Sequence, residues 1–150
     1  AKLDNKNMII PGIDGNKMSK SYNNYINIFA EESVLKKQIM SILTDSKELA
    51  EPKNPNNCNV FQIYKLIASK KESKKMEEHY LNGGYGYGHA KKALFELTLD
   101  KFKKERTKFH ELLQQSDLIE KELQRGSEKA KEIANSVLIK VKRNLGLMRA

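Results

Sequence analysis

A mainly α-helical fold is predicted by three observations. Past residue 30 the apolar residues recur at helical spacing, as in Val34, Leu35, Ile39, Ile42 and Leu43. Glycine and proline gather at a few places, Pro52 with Pro55, "GGYGYG" and Gly126, and cut the chain into helix-length segments. The length of 150 residues suits one domain with an appendage, enough chain to bury roughly two-thirds of its unfolded surface.

In order, Met8 to Ile10 is a short apolar run closed by Pro11 and Gly12, the end of a strand or a short extended segment. "PGIDGNKMSKSYNN", Pro11 to Asn24, is too polar for a core and reads as a basic loop. A helix is expected from Glu31 to Leu43, with Glu31 and Glu32 in the first turn where the helix dipole favours them. Thr44 to Asn59, with Asp45, two prolines and several asparagines, is an irregular connection.

Val60, Phe61, Ile63, Tyr64, Leu66 and Ile67 predict the next helix, capped by Asn59. "SKKESKKMEEHYLN" is helical and runs into Gly83 and Gly84. Phe95, Leu99, Phe102, Phe109 and Leu113 then recur at steps of four, three, seven and four, a stripe on one long helix. Arg106 falls inside the gap of that stripe, and a buried guanidinium there demands an acidic or carbonyl partner. Ser116 is expected to cap a short helix through Leu123 that Gly126 ends. Ala130, Ile133, Ala134, Val137, Leu138, Val141 and Leu145 define a last helix stopped by Gly146.

A net charge of +9, from 28 Lys/Arg against 19 Asp/Glu, favours polyanionic partners. Tyr85 to His110 holds seven basic against three acidic residues and Ser127 to Ala150 six against two, whereas Glu111 to Gly126 holds two against four. A basic face on the long helices would suit a phosphate backbone. The run Lys70, Lys71, Lys74 and Lys75 reads as a solvated face.

Cys58 is the only cysteine, which excludes an internal disulfide and a cysteine-based zinc site and fits a reducing, cytoplasmic setting. No apolar run approaches the roughly eighteen residues of a membrane span. His79, His89 and His110 are too scattered for a metal site, and no carboxylate pair suggests hydrolytic chemistry. "GYGYG" follows no strand, so it reads as a turn into a helix, with Tyr85 and Tyr87 packing between helices.

Lys17-Met18-Ser19-Lys20-Ser21 spells the KMSKS signature of class I aminoacyl-tRNA synthetases. Its setting "PGIDGNKMSKSYNNYINIF", the "TDS" at Thr44 to Ser46, "NVFQIYKL", "GGYGYGHAKKAL" and "GSEKAKEIANSVL" together resemble the C-terminal part of the tryptophanyl-tRNA synthetase family. The resemblance covers essentially the whole chain. The related tyrosyl family shares the fold and the loop, and a non-catalytic basic helical module that binds RNA is the alternative of another class; "KMSKS" directly before the helices separates the latter, which has no need of it.

The resemblance implies residues 1–26 as the last piece of a Rossmann-type catalytic domain and residues 27–150 as a helical anticodon-binding domain. Activation of an amino acid by ATP moves negative charge onto the departing pyrophosphate, and the ammonium groups of Lys17 and Lys20 would stabilise it most in the transition state. Ser19 and Ser21 would donate to phosphate oxygens, the backbone around Met18 would lie against the adenine, and Gly12 and Gly15 would let the loop change shape. The implied partners are ATP, Mg²⁺ carried on its phosphates, L-tryptophan and tRNA(Trp).

None of the three histidines sits in a HIGH-type context, and Ala1 stands where a starting Met would. The implied piece is therefore inactive alone, and monomeric although its parent is a homodimer. With its domain partner missing, the segment from Ala1 to Tyr25 is expected to be mobile, and Met8, Ile9 and Ile10 exposed or paired with another chain.

Overall fold

The computed structural model describes residues 9–147, and within them six α-helices follow an extended opening segment. They are α1 (Glu32–Met40), α2 (Asn59–Ile67), α3 (Lys70–Asn82), α4 (Tyr87–Lys101), α5 (Lys103–Leu113) and α6 (Ser116–Asn144). Among the described residues the only β pairing is an isolated antiparallel bridge between Pro11 and Lys17. The chain divides into two compact units, residues 1–106 and 107–150.

In the first unit α4 packs on both α1 and α2, and α2 on α3. Leu35 and Ile39, one turn apart on α1, are fully buried, and Ile42 just beyond the helix joins them. Val34 and Leu43, expected on the same face, are exposed: Val34 lies off the Leu35–Ile39 face of α1, and Leu43 lies beyond the helix, which ends at Met40. Each fully buried Leu or Ile contributes about 1.5–3 kcal/mol. From α2 come Val60, Phe61, Ile63 and Tyr64. The cap of α2 is Cys58 rather than Asn59, whose side chain instead donates to the Leu43 carbonyl at 3.3 Å. α3 starts on a capping box in which Ser69 Oγ accepts the Glu72 N–H and the Glu72 carboxylate accepts the Ser69 N–H at 2.8 Å. That bonding holds the Glu72 carboxyl below its ordinary range.

The face that α4 turns inward is Ala90, Leu94 and Thr98, not the Phe95–Leu99–Phe102 stripe, whose Phe95 and Leu99 are half-buried at its flank. A small alanine admits close approach of the neighbouring helices, and the Thr98 hydroxyl donates to the Leu94 carbonyl at 2.7 Å, so a polar residue occupies the seam at little cost. The stripe is also not on one helix. Phe102, at φ −104° and ψ 16°, interrupts the run between α4 and α5. Arg106 is buried as expected and its partner is a carbonyl, that of Ile28.

Tyr80 on α3 is the centre of an aromatic cluster, with ring centroids of Phe61, Tyr85 and Tyr87 at 5.8, 6.0 and 6.1 Å. Both tyrosines of "GYGYG" thus pack between helices, as the sequence predicts. Tyr87 also donates its hydroxyl to Asp45 Oδ1 at 2.5 Å, tying the irregular connection to the start of α4. This bond, more than any other contact, holds the Asp45 carboxyl below its ordinary range. An ionised Asp45 therefore adds stability above the unfolded carboxyl value, and that stability is lost as pH falls through the lowered folded value. Tyr87→Phe is expected to move Asp45 back toward the ordinary value of about 3.9 and to shrink this acid-side loss. A carboxyl NMR titration that finds Asp45 unmoved would contradict it.

In the second unit α6 runs unbroken through Gly126, correcting the expected pair of helices. A lone glycine costs a helix about 1 kcal/mol relative to alanine. Glu122, Arg125, Gln124 and Glu128 around it supply i,i+3 and i,i+4 contacts, and no proline enforces a stop. The cap is Gln115, without a side-chain bond, rather than Ser116. α6 ends ahead of Gly146 as expected, with the Leu147 N–H closing back on the Lys142 carbonyl at 2.9 Å. No residue of α6 is buried: Ile133, Val137, Leu138 and Val141 form an exposed apolar stripe.

Candidate functional site

The segment before α1 folds back on itself. Met18 N–H donates to the Ile10 carbonyl at 2.9 Å and Gly12 N–H to the Asn16 carbonyl at 2.7 Å, which closes a tight turn over residues 12–16. Inside that turn Asp14 Oδ1 accepts the Asn16 N–H at 3.0 Å, the turn-forming habit of aspartate. A second turn follows, in which the Asn23 N–H donates to the Lys20 carbonyl at 3.1 Å and Ser19 Oγ accepts the Ser21 N–H at 3.2 Å. Asn23 sits at φ 52°, a left-handed conformation that asparagine tolerates better than most residues.

The two turns meet on Asn24, which is 2% exposed. Its Oδ1 accepts the Ser19 N–H at 2.7 Å, and its Nδ2 donates to Asp14 Oδ1 at 2.8 Å and to the Lys17 carbonyl at 3.1 Å. Its own carbonyl accepts the Ile13 N–H at 2.9 Å, and the Ile13 carbonyl accepts the Leu43 N–H at 2.7 Å. The loop is thereby stitched to the end of α1. Hydrogen bonds from Asn16 and then Asn24 keep the Asp14 carboxyl below its ordinary value, so it is an anion at neutral pH.

Against the expected mobility of the segment from Ala1 to Tyr25, residues 10–24 are bonded to one another and, through Ile13, to Leu43 of the first unit. Residues 1–8, Met8 included, lie outside the described residues. Ile9 and Ile10 are exposed, as expected. Gly12 has a role other than flexibility: a Cβ there would stand 2.5 Å from the Asn24 carbonyl oxygen, so the two strands of chain approach as only glycine allows. Gly15 takes φ +83°, the conformation that its turn requires.

The pentapeptide has two sides. Met18 and Ser19 are half-buried, and Met18 lines an apolar cavity of about 190 Å³ together with Ile10, Ile26, Ile39, Ile63 and Leu94. Lys17, Lys20 and Ser21 are exposed, and among the described residues neither lysine is in an ion pair. Met18 anchors the loop by burying an apolar chain, while two ammonium groups are left to meet an anion. Sequence reasoning selected these five residues but missed Asp14 and Asn24, which hold them. The Asp-Gly-Asn turn pattern at residues 14–16 was the available signal.

Sequence reasoning also missed Lys53. Although charged, it is 2% exposed, with Nζ donating to the carbonyls of Glu48 at 2.7 Å and Glu51 at 3.0 Å and lying 5.3 Å from the centre of the Tyr87 ring. It braces the connection that carries Asp45. The described residues contain no group of three His, Cys, Asp or Glu placed to hold a metal ion, and no helix among them is long and apolar enough to cross a membrane.

Residues 3–103 match the family described as tRNA synthetases class I (W and Y). The chain is 43% identical to a tryptophan–tRNA ligase of Campylobacter jejuni over 147 residues, 98% of this chain and 46% of that relative. It is 46% identical to one from Fusobacterium nucleatum over 140 residues, 93% of this chain and 43% of the relative. A crystal structure of Campylobacter jejuni tryptophanyl-tRNA synthetase with ADP and tryptophan superposes with a TM-score of 0.87 at 44% identity, covering 93% of this chain and 44% of that one. The chain thus spans under half the length of these relatives. With the signature loop, the helices behind it and the matched span in agreement, the chain belongs to the class I tRNA synthetases (W and Y).

Proposed function

We propose that this chain is part of a tryptophan–tRNA ligase, in which Lys17, Met18, Ser19, Lys20 and Ser21 receive ATP while the helices from residue 27 onward bind the anticodon of tRNA(Trp). The observation that carries the reading is the pair Lys17 and Lys20, exposed and without an ion pair among the described residues, on a loop whose other face is anchored by Met18. Its identity with the tryptophan-specific relatives supports tryptophan over tyrosine as the amino acid.

On this reading the ligase joins L-tryptophan to AMP with loss of pyrophosphate, then to tRNA. Lys17 and Lys20 are the catalytic residues, stabilising the charge that gathers on the leaving phosphates, and Ser19 and Ser21 supply hydroxyl groups to phosphate oxygens. Mg²⁺ arrives with ATP, held through the phosphates rather than by a protein cage. Residues 1–26 act with the catalytic domain, residues 27–150 with the tRNA. The ligase works in the cytoplasm as a homodimer.

The test is binding of this chain to the anticodon stem-loop of tRNA(Trp) and to a stem-loop with one anticodon base changed, over a salt series. A preference of about tenfold or more for the cognate loop is expected, the usual effect of one mismatched base in a specific site. Equal affinity with a steep salt dependence would leave only phosphate contacts and overturn anticodon reading by these helices.

A further inference from the structure

We infer that Asn24 is a positioning residue for catalysis, setting the places of Lys17 and Lys20 through the backbone between them; the inference rests on the phosphate-loop reading above. Its carboxamide reaches the first and third residues of the pentapeptide, bonding the Lys17 carbonyl and the Ser19 N–H, while Asp14 takes its remaining N–H. Every polar atom of this buried side chain is used. The Asn24 bonds therefore fix the chain on both sides of Met18, and the exposed lysines emerge on either side of that fixed stretch.

Asp14 is held in turn by Asn16, whose N–H meets Oδ1 and whose Nδ2 meets Oδ2, each at 3.0 Å. Gly12 leaves the room that the Asn24 backbone and side chain fill. A loop that must present two ammonium groups to a pyrophosphate gains from such a fixed start, since misplacement by about 1 Å can cost a hundredfold in rate.

The test uses a full-length ligase carrying this segment, read by tryptophan-dependent ATP–pyrophosphate exchange. Asn24→Asp keeps the acceptor for Ser19, removes both N–H donors and sets a second carboxylate against Asp14. It is expected to lower kcat about ten- to a hundredfold, with KM for tryptophan and affinity for the anticodon stem-loop unchanged. Adding Asp14→Asn to it reverses donor and acceptor across the pair and is expected to recover part of the loss.

Exchange within about twofold of the parent would overturn the proposal, as would a loss matched by equally weakened tryptophan and stem-loop binding, or no recovery in the double variant. Should Asn24→Asp fail to fold, Gly12→Ala, whose Cβ would press on the Asn24 carbonyl and carboxamide, is read in its place with the same criteria. Lys20→Ala in the same assay separates the two levels: full exchange there refutes the phosphate-loop reading itself, whereas impaired Lys20→Ala beside normal Asn24→Asp refutes only the positioning role.

Discussion

Lys20→Ala in a full-length ligase carrying this segment is expected to reduce kcat for tryptophan-dependent ATP–pyrophosphate exchange by about a hundred- to a thousandfold. That is the usual consequence of removing one preorganised group that faces charge developing in a transition state. The loss belongs in kcat because the phosphates carry negative charge before the reaction as well, and only the extra interaction gained as charge moves onto the leaving group accelerates the step. Lys17→Ala should act in the same direction. Neither lysine is buried or, among the described residues, paired, so removing either leaves no orphaned carboxylate there, and the melting temperature should stay where it was.

That separation of activity from stability is what makes the measurement decisive. Lys20→Arg refines it: a planar guanidinium keeps the charge but not the compact ammonium head. Partial activity in Lys20→Arg with near-abolition in Lys20→Ala assigns the role to charge. Unchanged exchange in Lys20→Ala would remove Lys20 from the chemistry altogether.

The sequence made some of this legible because the information was contiguous. Lys17 to Ser21 are five consecutive residues, and "SKKESKKMEEHYLN" is one uninterrupted stretch rich in helix formers. Asn24 was not legible, because its significance lies in the meeting of two turns, at Asp14 and at Ser19, ten and five residues before it. Lys53 was hidden for a related reason: a lysine reads as a surface residue unless backbone carbonyls converge on it, which only the folded connection brings about. Gly126 misled because glycine marks helix ends by tendency, while strong helix formers on both sides outweighed it here. The inward face of α4 was misassigned by ranking residues on size. Ala90 and Thr98 are unremarkable in a hydropathy pattern, yet they are buried where the larger Phe95 and Leu99 are only half-buried.

Tyr80→Ala is expected to destabilise the first unit by about 3–5 kcal/mol, the range for deleting a large buried aromatic ring. Tyr80 is 1% exposed and three aromatic neighbours would be left facing the cavity. Tyr80→Phe separates ring from hydroxyl. The hydroxyl lies 3.3 Å from Cys58 Sγ, and losing that one bond should cost about 1 kcal/mol. Burial first, and the Cys58 contact second, push the Tyr80 phenol far above its ordinary value. The sign follows: the folded state holds a proton that the unfolded state releases near pH 10, so this contribution is whole below about pH 10 and declines as pH rises beyond it. Tyr80→Phe, having no proton to lose, should therefore resist alkaline unfolding better relative to its own neutral-pH stability than the parent does. Urea unfolding of both variants at neutral and alkaline pH checks the argument. A large loss in Tyr80→Phe at neutral pH would place the stabilisation in the sulfur–hydroxyl contact rather than in the ring, and the aromatic cluster would then not be what joins α3 to the turn before α4.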